Sequence, residues 1–102
     1  MNNLLNLLGI ARKAGKLALG FTAASLAVKK GQAVLVLIAT DTSPHTKEKI
    51  ERLCRRHQVD IFYIADRNEL GRALGRTSQA VIGLLSPEIG EALKTQLTAR
   101  TE

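Results

Sequence analysis

Leu4, Leu7, Leu8, Ile10, Ala11 and Ala14 recur at helical spacing, which predicts an opening helix with one apolar face. Asn2 or Asn3 can cap its start and Gly15 suits its stop, since a short polar side chain satisfies orphan N–H groups and glycine accepts a left-handed turn. Residues 16–19 (KLAL) read as a short strand. Gly20 then frees the backbone to enter a second helix over about residues 22–30, ended by Gly31. Residues 34–39 (VLVLIA) are apolar without alternation, the pattern of a strand covered on both faces, and are expected at the centre of a sheet.

Thr42-Ser43-Pro44 supplies a cap followed by proline at the first helical position, and opens a helix through His57 with Ile50, Leu53 and Cys54 inward. Residues 60–65 read as strand. Asp66-Arg67-Asn68-Glu69 resembles a capping box for a short helix ended by Gly75. Residues 80–85 form the last strand, and Ser86-Pro87-Glu88 opens a final helix whose stripe is Ile89, Ala92, Leu93 and Leu97. Strands alternating with helices predict crossover units, hence an α/β protein: a three-layer α/β/α sandwich in one domain over residues 1–102. With both sheet faces covered, Phe21, Phe62 and Tyr63 cannot form an open stacking platform for single strands.

Charge adds a direction to this picture. The net charge is +6, but it is not spread evenly: residues 1–40 hold Arg12, Lys13, Lys16, Lys29 and Lys30 and no acid, while the rest holds ten bases against nine acids. The first two helices and the turn between them are therefore expected to present a cationic surface to a polyanion. Helix-dipole complementarity explains bases at helix ends but not the absence of acids, so Lys16 is assigned to phosphate contact. The single cysteine, Cys54, implies no internal disulfide and suits a reducing cytoplasm. No signal peptide or membrane-spanning run is legible, and a soluble cytoplasmic protein without membrane association is expected.

Catalytic patterns were sought and do not form. Residues 9–17 (GIARKAGKL) have five spacers where a phosphate loop has four, and leucine where Mg²⁺ needs a hydroxyl. Cys54 and His57 lie one helical turn apart, but His45 is nine residues before Cys54, about 13 Å at ~1.5 Å per residue, too far to share an ion. Cys54 reads as core. The acids fall mostly at helix starts and exposed helical positions, and Asp41, after the central strand, reads as a turn aspartate bonding its own backbone. The expectation is a binding protein, with no enzymatic activity, no cofactor and no metal.

With the elements in place, several stretches resemble the family of kink-turn-binding ribosomal proteins of the large-subunit seven-Ae/thirty-e type, closest to its small bacterial YlxQ-like members. They are residues 8–16 (LGIARKAGK), Gly20, Lys29-Lys30-Gly31, residues 34–41 and residues 66–75 (DRNELGRALG), and the similarity spans about residues 3–97. The resemblance implies an α/β/α sandwich with a four-stranded mixed sheet that binds sharply bent RNA through the start of the second helix and neighbouring loops. In the family that helix opens with glycine, a polar residue, asparagine, glutamate and, three residues later, lysine, which read purine edges while the helix N-terminus favours phosphate. Here Gly20 is kept, Phe21 and Thr22 follow, and Ala23 and Leu26 replace the glutamate and lysine.

The implied RNA-binding residues are Gly20, Phe21, Thr22, Ser43 after the second strand, Arg67, and a final loop of Leu84, Leu85 and Ser86, joined by Lys16. Thr22 either contacts a base or caps its helix, capping being favoured. Arg67, Ser43, Ser86, Leu84 and Leu85 also have structural readings, as an exposed first-turn residue, two caps and a buried strand end. The expected partner is structured RNA, ribosomal or regulatory, met by a monomer that is ribosome-associated or accessory. The alternative is a protein-interaction module on the same fold that has lost base reading, which an exposed apolar patch at Phe21, Ala23 and Leu26 would favour.

Overall fold

The computed structural model describes residues 2–100. Helices and strands alternate strictly: α1 (Asn2–Lys13), β1 (Leu17–Leu19), α2 (Phe21–Lys29), β2 (Leu35–Ile38), α3 (Pro44–His57), β3 (Asp60–Tyr63), α4 (Arg67–Ala73), β4 (Val81–Leu84) and α5 (Pro87–Arg100). The punctuation works as its chemistry dictates. Ser43 accepts a hydrogen bond from the Thr46 N–H with Pro44 in the first turn, and Asp66 and Glu69 close a reciprocal capping box at the start of α4. Gly15, Gly31 and Gly75, placed at helix stops, all adopt φ near +70°. α1 begins at Asn2, so Asn3 lies inside the helix rather than capping it, and the position before Asn2 is outside the described residues.

The four strands form one mixed sheet in the order β1-β4-β2-β3. β4 is antiparallel to both β1 and β2, and β2 is parallel to β3, so β1, β2 and β3 all run in one direction. Successive side chains of β2 consequently enter opposite cores. Leu35 and Leu37 join Leu4, Leu8, Leu70, Leu74, Leu93 and Leu97 from α1, α4 and α5. Val36 and Ile38 join Ala24, Val28, Ile50 and Cys54 from α2 and α3. This is the three-layer α/β/α sandwich with β2 buried throughout, and each fully buried leucine contributes about 1.5–3 kcal/mol through removal from water.

Three apolar residues break the expected stripes, Ala14 being exposed just past the end of α1. Ile10 is 57% exposed because it lies two positions, about 200°, from Leu8 on a helix whose inward stripe is Leu4, Leu8 and Ala11. Ala92 is likewise exposed beside the buried Leu93. Among the described residues no helix is long and apolar enough to cross a membrane.

Candidate nucleic-acid interface

Strand direction decides where the helices start. Because β1, β2 and β3 are parallel, the chain leaves all three at the same edge of the sheet, and α2, α3 and α4 each begin there. Three helix N-termini, each carrying roughly half a positive charge, thus face one edge. It is also the edge outside the carboxyl ends of parallel strands, where open α/β sheets place ligands.

The three starts differ in how far their N–H groups are already used. At α4 the Glu69 N–H donates to Asp66 at 2.8 Å, and the Arg67 N–H donates to Asp41 Oδ1 at 2.9 Å. At α3, Ser43 Oγ accepts from Thr46 N at 3.4 Å and donates to Thr46 Oγ1 at 3.1 Å. At α2, Gly20 occupies the capping position and no side chain caps the helix. The start of α2 therefore offers backbone donors without a side-chain acceptor, next to exposed Phe21, Thr22 and Ala23, and has no acid in its first turn.

Gly20 makes that exposure possible. Its φ of 98° and ψ of 165° lie in a region essentially confined to glycine, and a Cβ there would meet nothing within 4 Å. Its N–H donates to the Val81 carbonyl at 2.9 Å and its own carbonyl accepts from Ala24 at 2.9 Å, which fastens the corner to β4. Gly83 completes the fit, since a Cβ on it would come within 3.4 Å of the Ala24 backbone, so the small residue lets α2 lie close on the sheet.

The neighbouring loops are tied into the same edge. Ala39 N–H donates to Ala80 O at 2.8 Å, Thr40 N–H to Ala65 O at 2.7 Å and Gln79 N–H to Arg67 O at 2.9 Å. The buried Thr42 hydroxyl donates to Ala39 O at 2.8 Å. Asp41 bridges to Arg67 through both backbone and guanidinium, the latter at 3.4 Å, in addition to the interaction with its own backbone that the sequence suggested. The Arg67 backbone N–H, aided by the guanidinium, holds the Asp41 carboxyl below its ordinary pKa against the opposing effect of desolvation. Nearby, Lys47 Nζ lies 5.0 Å from the centroid of the Tyr63 ring.

The nine residues singled out from sequence divide into two groups. Gly20, Phe21, Thr22, Ser43 and Arg67 meet at this edge. Lys16, Leu84, Leu85 and Ser86 lie at the other, since Leu85 N–H donates to Lys16 O at 2.9 Å and the four positions from Lys16 to Gly20 span about 13 Å at ~3.3 Å each. Leu84 has no exposed surface, so it cannot pack on an extruded base. Ser86 is 6% exposed and its Oγ accepts from the Ile89 N–H, making it the cap of α5. Thr22 also departs from expectation, because Gly20 holds the capping position.

The cationic surface is displaced in the same way. α2 and α3 run away from the Gly20 edge, so Lys29, Lys30, Arg55 and Arg56 end at the opposite edge, where α1 also stops at Lys13 on the other face of the sheet and Lys16 precedes β1. Arg12 lies against Gly75. The loop that does reach the Gly20 edge precedes β4 instead of following it: residues 75–80 run back along α4, with Arg76, Thr77 and Ser78 exposed. The signal for it was present as a polar turn carrying a base between Gly75 and the strand. Among the described residues no group of three or more His, Cys, Asp or Glu side chains is gathered for a metal.

Comparison with known proteins follows this geometry. The model of the family described as "Ribosomal protein L7Ae/L30e/S12e/Gadd45 family" matches residues 2–95. The "RNA-binding protein YlxQ" of Bacillus subtilis (strain 168) is 30% identical over 78 residues, 76% of this chain and 78% of the relative. A solved protein of unknown function from Bacillus halodurans C superimposes with a TM-score of 0.89 at 33% identity, covering 93% of this chain and 96% of that one. A Giardia lamblia 15.5kD RNA binding protein shares the fold with a TM-score of 0.81 at 24% identity, over 94% and 85% of the two chains.

Proposed function

The chain belongs to the Ribosomal protein L7Ae/L30e/S12e/Gadd45 family, and we propose that it binds structured RNA, of the bent kink-turn type, at the edge where α2, α3 and α4 begin. The observation that carries the reading is the open start of α2: exposed backbone donors and a glycine corner, flanked by Ser43, Arg67 and residues 75–80. A phosphate placed there gains the helix-terminal N–H groups and dipole, and Arg67 adds charge at the same edge. The relative YlxQ of Bacillus subtilis, an RNA-binding protein by name, supports the same ligand class.

Recognition on this reading is by shape and phosphate more than by base edge, because Ala23 and Leu26 carry no hydrogen-bonding side chain. The protein acts as a non-enzymatic, ribosome-associated or accessory factor of the cytoplasm, as a monomer and without a cofactor. Affinity is to be measured for a kink-turn RNA, for the same RNA with its G·A pairs replaced, and for an unstructured strand of equal length. The kink-turn RNA is expected to bind tightest and the unstructured strand weakest; equal affinity for all three refutes shape recognition and leaves charge attraction alone.

A second reading has its own support. Ala23 and Leu26 are exposed on one side of α2, Leu26 being 51% accessible, while Phe21, 37% accessible, lies about 140° from Leu26 on the face of Ser25 and Lys29. Such a patch suits a protein partner. Retention of a defined protein partner after nuclease treatment, with loss on Leu26→Glu, favours this reading over RNA binding.

A further inference from the structure

On the outer face of the α2–α3 layer, away from the sheet, a groove of about 250 Å³ runs between the two helices. Both helices start at the same edge and run the same way, so residues pair along it in order. Phe21 and Lys49 stand at one end, Ser25 and Leu53 in the middle, and Lys29 and Arg56 at the other, with Arg52 beside them. The walls are thus four cations around a partly apolar floor. Arg52 is partnered by Glu48 at 2.7 Å, whereas Lys29, Lys49 and Arg56 have no ion pair among the described residues.

Ser25 is an independent sign. It is only 7% exposed, it lines the groove, and its Oγ has no hydrogen-bond partner. Buried hydroxyls are nearly always paired, so an orphan beside unpaired cations points to an absent acceptor.

We propose that the α2–α3 groove, which opens beside the Gly20 edge at Phe21 and runs away from it, is a second binding site for a nucleotide: a phosphate held by Lys29 and Arg56 at the far end, with its base on Phe21 and Leu53. The volume lies just under the ~300 Å³ at which drug-sized pockets begin, which suits one nucleotide and not a folded element. The ammonium and guanidinium groups supply charge-assisted donors, the Phe21 ring supplies a stacking face, and the Ser25 hydroxyl gains an acceptor. The same chemistry is presented by a free nucleoside monophosphate or by one unit of an unpaired RNA strand.

Titration of the ¹⁵N-labelled full chain with AMP, and separately with an unstructured RNA pentanucleotide, tests this. Saturable amide shifts are expected in residues 21–29 and 49–56, with AMP if a free nucleotide suffices and only with the oligonucleotide if a strand is required; either supports the site. Lys29→Gln combined with Arg56→Gln is expected to weaken binding roughly tenfold, and Ser25→Ala by a few-fold while leaving the thermal midpoint unchanged or raised. No saturable shift in the groove with either probe, or affinities unaltered in both variants, overturns the proposal. Kink-turn binding by the same variants is scored separately, so failure at the Gly20 edge and failure in the groove are distinguished.

Discussion

Replacing Gly20 by alanine isolates the cost of the corner from every packing effect. No heavy atom outside its immediate neighbours lies within 4 Å of where a Cβ would sit, so steric collision with the rest of the fold contributes nothing. What remains is the backbone: φ 98° with ψ 165° costs an L-residue about 1–3 kcal/mol, which exceeds the ~0.4–1 kcal/mol that alanine recovers by restricting the unfolded chain. At ~4–8 °C per kcal/mol for a domain of this size, a mid-range net loss of ~1.3 kcal/mol lowers the midpoint by about 5–10 °C.

The decisive control is D-alanine. Its mirrored preference accepts positive φ, so the D-residue is expected to match or exceed the parent by up to ~1 kcal/mol. The chain is accessible to ligation at the Leu53–Cys54 junction. Urea and thermal unfolding of the parent, L-Ala and D-Ala proteins read the result directly. L-Ala within ~0.5 kcal/mol of the parent, or D-Ala as unstable as L-Ala, refutes the backbone account. RNA affinity should follow the same order, because Phe21 and Thr22 hang from this residue.

Gly71→Ala tests the loop beside the site: a Cβ would fall 2.6 Å from Ser78 Cα and 2.7 Å from Ser78 N, so despite better helix propensity the variant should lose about 1–3 kcal/mol in urea unfolding and displace residues 75–80. The Asp41 carboxyl is held below its ordinary pKa by the Arg67 N–H, so its link to Arg67 is present above that ordinary value and is lost as pH falls through the lower folded one; the Arg67 amide shift in an NMR titration should have its midpoint below the ordinary value for an aspartate. Cys54 is fully buried and burial pushes its thiol up to about 11, so at pH 8 it should resist thiol-reactive dye in the native protein and react on unfolding. Ser86→Ala should cost about 0.5–2 kcal/mol through loss of the α5 cap, with RNA binding unchanged at the opposite edge.

The order of elements was legible because the local chemistry is consistent. Proline after Ser43 and after Ser86, the Asp66–Glu69 box and glycines at the helix stops each encode a boundary within a few residues of chain. The unalternating run in β2 likewise announced a strand with two dry faces. Half of the candidate site was legible for the same reason, since Gly20, Ser43 and Arg67 each follow a strand and begin a helix.

Which residues share an edge is a different kind of fact. Lys16 and Gly20 are four positions apart in sequence yet stand at opposite ends of β1, and Arg67 and Gly20 are far apart in sequence yet share an edge because β1 and β3 run the same way. The loop before β4 holds residues 75–80 and the turn after it only Leu85 and Ser86, and the antiparallel placement of β4 is what carries the end of the first to Gly20 and the second to Lys16. Sequence alone therefore determined the elements, their caps and the excess of charge. The tertiary structure decided which charges meet, because strand direction and order are set by long-range pairing and core packing that no local pattern encodes.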